Sequence, residues 1–134
     1  MVNIKPVYIA AGLVAILGMI AFSSSGHFSV FAQESAVKVD IVPGASTKSG
    51  PQAYSVDPIK VKVGGTVTWT NKDSVQHTVT SGAPGSADVG KEFDSGLTKL
   101  INAGQTFEKK FDKAGTFTYF CQLHPTMTGT VIVS

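Results

Sequence analysis

The sequence predicts an all-β domain, a sandwich or barrel of short antiparallel strands, preceded by an apolar N-terminal segment. Three observations carry this expectation. From Ala36 onward, apolar residues recur at every second position, which puts them on one face of an extended chain. Gly, Pro, Asn and Asp separate these runs at short intervals, as turns between strands do. No helical period of useful length appears after residue 33. A composition with 14 Gly and 6 Pro, rich in Val, Thr and Phe, agrees with strands and tight turns.

The N-terminus follows a different logic. After Lys5 the run from Val7 to Phe22 is uncharged and apolar, and the next formal charge is Glu34. One basic residue followed by an apolar stretch is the layout of an export signal, and the approach through Val30 and Phe31 to Ala32 suggests cleavage after Ala32. Residues 1–32 are then a signal peptide and residues 33–134 the mature domain. Apolar character continues from His27 to Ala32, so an uncleaved anchor through residues 7–22 is the alternative, since ~20 apolar residues span a bilayer. Either reading places the domain outside the cytoplasm, in a periplasm-like space or at the cell surface, secreted or membrane-anchored.

The strands follow in order. Val37, Val39 and Ile41 alternate with Lys38 and Asp40; Ile59, Val61 and Val63 alternate with Lys60 and Lys62. Gly64-Gly65 is expected to turn the chain into a strand that buries Val67 and Trp69. A strand-like HTVT begins at His77. Later come a strand with Phe107 and Phe111, a turn at Lys113-Ala114-Gly115, and a strand with Phe117, Tyr119 and Cys121 in phase; an apolar closing strand from Gly129 follows. Loops are expected over 43–58 and 81–91, and no internal repeat is present.

Charge excludes one class of partner. Eleven Lys, no Arg and 9 acidic residues give a net charge of +2, without the basic clusters that a nucleic-acid surface needs. Lys60, Lys62, Lys109 and Lys110 read as solvated strand faces. Glu92, Asp94 and Glu108 have no spacing that singles out a general acid or base, and no Ser/His/Asp arrangement is apparent.

The chain's one cysteine, Cys121, lies in YFCQLHPTMTGTVIV. A lone thiol is a liability in an oxidising compartment, so it is buried and inert, paired with another molecule, or bound to a metal. Its neighbours favour the metal: Cys121-x-x-His124-x-x-Met127 places a thiolate, an imidazole and a thioether in one tight loop leaving a strand. His77 is the only other histidine of the domain, because His27 lies in the export segment. Two His, one Cys and a weaker axial Met make the ligand set of a blue-copper site. Zinc is the competing ion, but it favours four firm ligands and a thioether is a poor one.

From about Ala36 to Ser134 the sequence resembles the small blue copper proteins of the cupredoxin family. The pieces that carry this are DPIKVKVGGTVTWTNKDSVQHTV, FDSGL, AGQTFEKKFDKAGTFTYFC and CQLHPTMTGTVIV. The short ligand loop is similar to that of amicyanin and pseudoazurin, and the phrasing of the strands to archaeal plastocyanin-like proteins. The resemblance implies a Greek-key β-sandwich of about eight strands holding one type 1 copper, with His77, Cys121 and His124 as equatorial ligands and Met127 as the axial one. It implies a monomeric electron carrier that docks redox protein partners near His124. Leu123, Pro125 and Pro84 are read from the sequence as candidates for an apolar rim around that point. Thr78 and Asn71 are candidates for hydrogen bonds to the ligand loops. Two alternatives remain open: a copper enzyme with an open axial position acting on a small molecule such as nitric oxide, and a copper trafficking or storage protein. The latter usually carries exposed Met or His clusters, whereas two of the three Met here fall in the first 19 residues.

Overall fold

The computed structural model describes residues 34–134; the apolar run 7–22 and the cleavage expected after Ala32 lie outside them. Alternation becomes strand as expected. β1 is Glu34–Ile41, β2 Ile59–Asn71, β3 Thr80–Ser81, β4 Thr106–Phe111, β5 Gly115–Phe120 and β6 Thr128–Val133; two 3₁₀ turns, Ala45–Thr47 and Gly50–Ala53, lie between β1 and β2. Against about eight expected strands there are six among the described residues. Further pairing takes the form of isolated bridges, Ile41 to Tyr54, His77 to Ile101 and Thr80 to Asp94.

Gly64-Gly65 does not end a strand. β2 runs through it, and its two parts pair with different neighbours. Residues from Thr66 lie between β1, parallel, and β4, antiparallel, while Ile59 to Val61 lie parallel to β6. β6 pairs antiparallel with β5, and β5 with β3. The sheet is therefore mixed rather than wholly antiparallel, and β2 passes from one layer of the sandwich to the other at the glycines. Gly64 has φ +88°, and a Cβ at Gly65 would lie 2.6 Å from Val61 Cγ2 and 2.8 Å from the Ser35 carbonyl oxygen. Only glycine fits this corner. Val63, expected on the buried face, is 49% exposed because it sits where the strand changes layers.

Inward residues of both layers form one core. Val39, Ile41, Ile59, Val61, Val67, Trp69, Tyr119 and Val131 are all fully buried. Burial of each large apolar side chain stabilises the fold by roughly 1.5–3 kcal/mol. Aromatic rings fill the centre: Tyr119 meets Tyr54 edge-on at 4.9 Å and Trp69 at 5.3 Å, and Phe93 stacks on Trp69 at 6.0 Å. Tyr119 on β5 faces Gly129 on β6. These two strands emerge from the packed centre carrying the ends of the Cys121 loop, so core rigidity is passed directly to it.

Candidate metal centre

The loop between β5 and β6 closes on itself through its backbone. The amide of His124 donates to the Cys121 carbonyl at 3.2 Å, that of Met127 to His124 at 2.9 Å, and that of Cys121 to Met127 at 3.2 Å. From outside, the Gly50 amide donates to Thr126 O at 2.7 Å. Cys121 and Met127 are fully buried within one core cluster. His124 is half-buried, and Leu123 and Pro125 beside it are exposed.

His77 reaches this loop from the other side. The expected HTVT strand is reduced to Thr80–Ser81, because residues 77 to 80 are all buried and their backbone is held by separate partners. His77 bridges Ile101 in both directions, at 3.2 and 3.0 Å, and the Val79 amide donates to Ser95 Oγ at 2.9 Å. Buried Asn71 supports the turn before it, donating from Nδ2 to the carbonyls of Val75 at 2.8 Å and Ile101 at 2.9 Å. As a result His77 Nδ1 lies 3.6 Å from Cys121 Sγ, and His124 Nδ1 lies 3.7 Å from the same sulfur. The three donor atoms all fall within 4.8 Å of one another.

A polar net fixes the two sides together. The Thr78 amide donates to Cys121 Sγ at 3.3 Å, and the Gln122 amide donates to Thr78 Oγ1 at 2.8 Å. Gln122 Nε2 continues to Thr80 Oγ1 and Asp94 Oδ1 at 2.9 and 3.1 Å. On the far side of the His77 ring, Nε2 lies 2.8 Å from buried Asp73 Oδ2.

These contacts set the charges. Burial would push the Cys121 thiol up, but the His77 ring, the Thr78 amide, the His124 ring and the Leu123 amide together bring it down to about 6. Burial likewise opposes ionisation of Asp73, yet His77 and the amides of Gly44, Ser74 and Ser46 hold its carboxyl at about 2. Burial lowers the pKa of His77, but Cys121 and Asp73 more than offset it and leave the ring above its ordinary value. A sulfur already ionised near neutral pH, with two imidazole nitrogens facing it, suits a metal that accepts soft and borderline donors.

Three of the four sequence-derived ligand candidates thus converge, and Met127 is buried in the core cluster that also holds Cys121. Thr78 and Asn71 both bond to the loops they were expected to hold. Sequence reasoning missed Asp73, Gln122 and Asp94. Asp73 stands four residues before His77, a spacing that carries no signal in a chain without helical period; Gln122 is legible only as the neighbour of Cys121.

Residues 42–134 match the sequence profile of the copper binding proteins, plastocyanin/azurin family. The chain belongs to this family. Amicyanin-alpha of Methylorubrum extorquens is 32% identical over 116 residues, covering 84% of this chain and 90% of that relative. Plastocyanin of Scenedesmus fuscus is 31% identical over 104 residues, covering 70% and 99%. Among solved structures, the purple cupredoxin from Nitrosopumilus maritimus shares 36% identity at a TM-score of 0.62, covering 73% of this chain and 99% of its own. The fold is accordingly a cupredoxin sandwich, and its cofactor is one type 1 copper, to which the His77, Cys121 and His124 donors are chemically suited.

Proposed function

We propose that this protein is a single-copper electron carrier working outside the cytoplasm, with copper held by His77, Cys121 and His124 and by Met127 as the weaker axial ligand. The observation that carries the reading is the convergence of the two Nδ1 atoms on the buried Cys121 sulfur, whose thiol these rings and the Thr78 amide make more acidic. Bound copper supplies a one-electron Cu(II)/Cu(I) couple. The chain's part is to keep the donors still: the Thr78 amide on Sγ, the Ile101 bridge at His77 and the three backbone bonds of the 121–127 loop each resist movement when charge changes. Ligands that move little make for low reorganisation and fast transfer.

Access differs between the two histidines. His77 is fully buried, while His124 is half-buried with Leu123 41% exposed next to it. This supports His124 as the point where electrons enter and leave, with Leu123 and Pro125 forming the apolar surface for a redox protein partner; Pro84, expected in that rim, instead lines a groove with Thr118, Gly129 and Thr130. Amicyanin and plastocyanin as relatives support the same reading of an exported carrier. The test is a redox titration of copper-loaded protein followed by incubation with excess nitric oxide. A carrier exchanges one electron per chain reversibly and turns nothing over; repeated consumption of the small molecule would replace the carrier with an enzyme.

A further inference from the structure

β4 is an edge strand. Among the described residues it pairs with β2 alone, from Thr106 opposite Thr70 to Phe111 opposite Gly65. One bond just before the strand shows which way its backbone points: the Asn71 amide donates to the Gln105 carbonyl at 2.9 Å, so Gln105 faces β2. Backbone direction alternates along an antiparallel strand, so Phe107, Lys109 and Phe111 face β2 as well, while Thr106, Glu108 and Lys110 turn their N–H and C=O groups outward. A row of such groups is a template on which another extended chain can pair.

Side chains divide by the same alternation. Phe111 is buried and Phe107 packs half-buried against the core, whereas Thr106, Glu108 and Lys110 are exposed. Lys109 lies on the inward side with the two phenylalanines, half-buried and directly opposite fully buried Val67. A charge thus stands where the pattern otherwise places an aromatic ring.

Pairing of β4 with its own copy can be weighed register by register. About a twofold axis, residues that meet lie on the same face of the strand. Centring on Glu108 sets that carboxylate against itself, centring on Lys110 sets that ammonium against itself, and centring nearer either end shortens the overlap. Centring on Lys109 brings Glu108 opposite the second copy's Lys110 and Phe107 opposite its Phe111, and lets the outward backbone groups of Glu108 and Lys110 exchange hydrogen bonds. This register is complementary except at its middle, where two Lys109 side chains meet with Cβ atoms ~4.5–5.5 Å apart.

We propose that Lys109 keeps the β4 edge from pairing with the β4 edge of a second copy, and so holds the protein as a single chain. Hydrogen exchange of wild type tests the free edge without any variant. The Glu108 and Lys110 amides are expected to exchange fast and those of Phe107, Lys109 and Phe111 to be protected by β2; slow exchange at Glu108 and Lys110 overturns the proposal. Sedimentation then compares wild type with Lys109→Val, valine being a good strand residue, after circular dichroism has confirmed the native fold. The variant is expected to double in mass and to gain protection at Glu108 and Lys110, and Lys109→Thr to act in the same sense. Adding Glu108→Lys to Lys109→Val sets like charges opposite Lys110 and is expected to restore the single chain. Unchanged mass in both single variants, or a double variant that remains a dimer, would contradict the assignment to Lys109 and to this register.

Discussion

Gly129→Ala tests whether the core behind the metal loop is as closely packed as the structure states. A Cβ at this position would lie 2.6 Å from both Cζ and Oη of Tyr119 and 2.9 Å from its Cε1. These distances are well inside van der Waals contact, so something must shift. The Tyr119 ring has little freedom to do so, being fully buried between Tyr54 and Trp69. Movement of β6 away from β5 would instead strain the pairing of Tyr119 with Gly129, two residues before Cys121 and two after Met127. Overpacking of this kind costs ~1–3 kcal/mol; taking ~2 kcal/mol and a urea slope of ~1–2 kcal/mol/M for a small domain, the midpoint falls by ~1–2 M. The assay is urea unfolding of copper-free protein, because a ligand that binds only the native state would add its own stabilisation. In a Tyr119→Leu background the same substitution should cost far less, with a coupling of ~1 kcal/mol or more. An unchanged midpoint, or an equal loss in both backgrounds, would refute the packing argument.

The Cys121 thiol of copper-free protein should titrate near pH 6 by ultraviolet thiolate absorbance, and His77→Ala should raise that midpoint; a wild-type midpoint near the ordinary ~8.5 contradicts the hydrogen-bond account. The sign for stability follows. A thiol more acidic folded than unfolded contributes fully above pH ~8.5, and that contribution is lost as pH falls through about 6, which urea midpoints across this range will show. Thr78→Val removes the acceptor of the Gln122 amide, so hydrogen exchange at Gln122 should accelerate at a stability cost of ~1–2 kcal/mol; unchanged protection would mean that Thr78 does not hold the ligand loop. Met127→Ala should destabilise the copper-free protein by ~2–5 kcal/mol, as loss of a fully buried Met does, and should alter the visible spectrum of the copper form; an unaltered spectrum would remove Met127 from the ligand set.

Most of the sandwich was legible because its strands have one dry face. Val39 and Ile41, Val67 and Trp69, and Tyr119 and Cys121 are buried in the phase that alternation dictates. Where chemistry is local, the site was legible too, since Cys121, His124 and Met127 share one short loop. Three things were not. Gly64-Gly65 reads equally as a hairpin turn or as the corner of one long strand, and only the pairing of β2 with both β4 and β6 distinguishes them. The HTVT run from His77 reads as a strand, yet the His77 backbone bonds to Ile101 and the Val79 amide to Ser95 Oγ, so only Thr80–Ser81 forms one. Asp73 serves the site through its oxygens at an oblique loop junction, where no spacing rule applies; it emerges only once Gly44, Ser46, Ser74 and His77 are seen around it.

The central claim is that Cys121 is a copper thiolate flanked by two histidines. Its most direct test is the visible absorption and electron paramagnetic resonance of the protein loaded with one equivalent of Cu(II). An intense thiolate-to-copper band and a type 1 resonance, both lost in Cys121→Ser, are the expected result. A protein that stays colourless with copper and binds zinc equally well would contradict the claim.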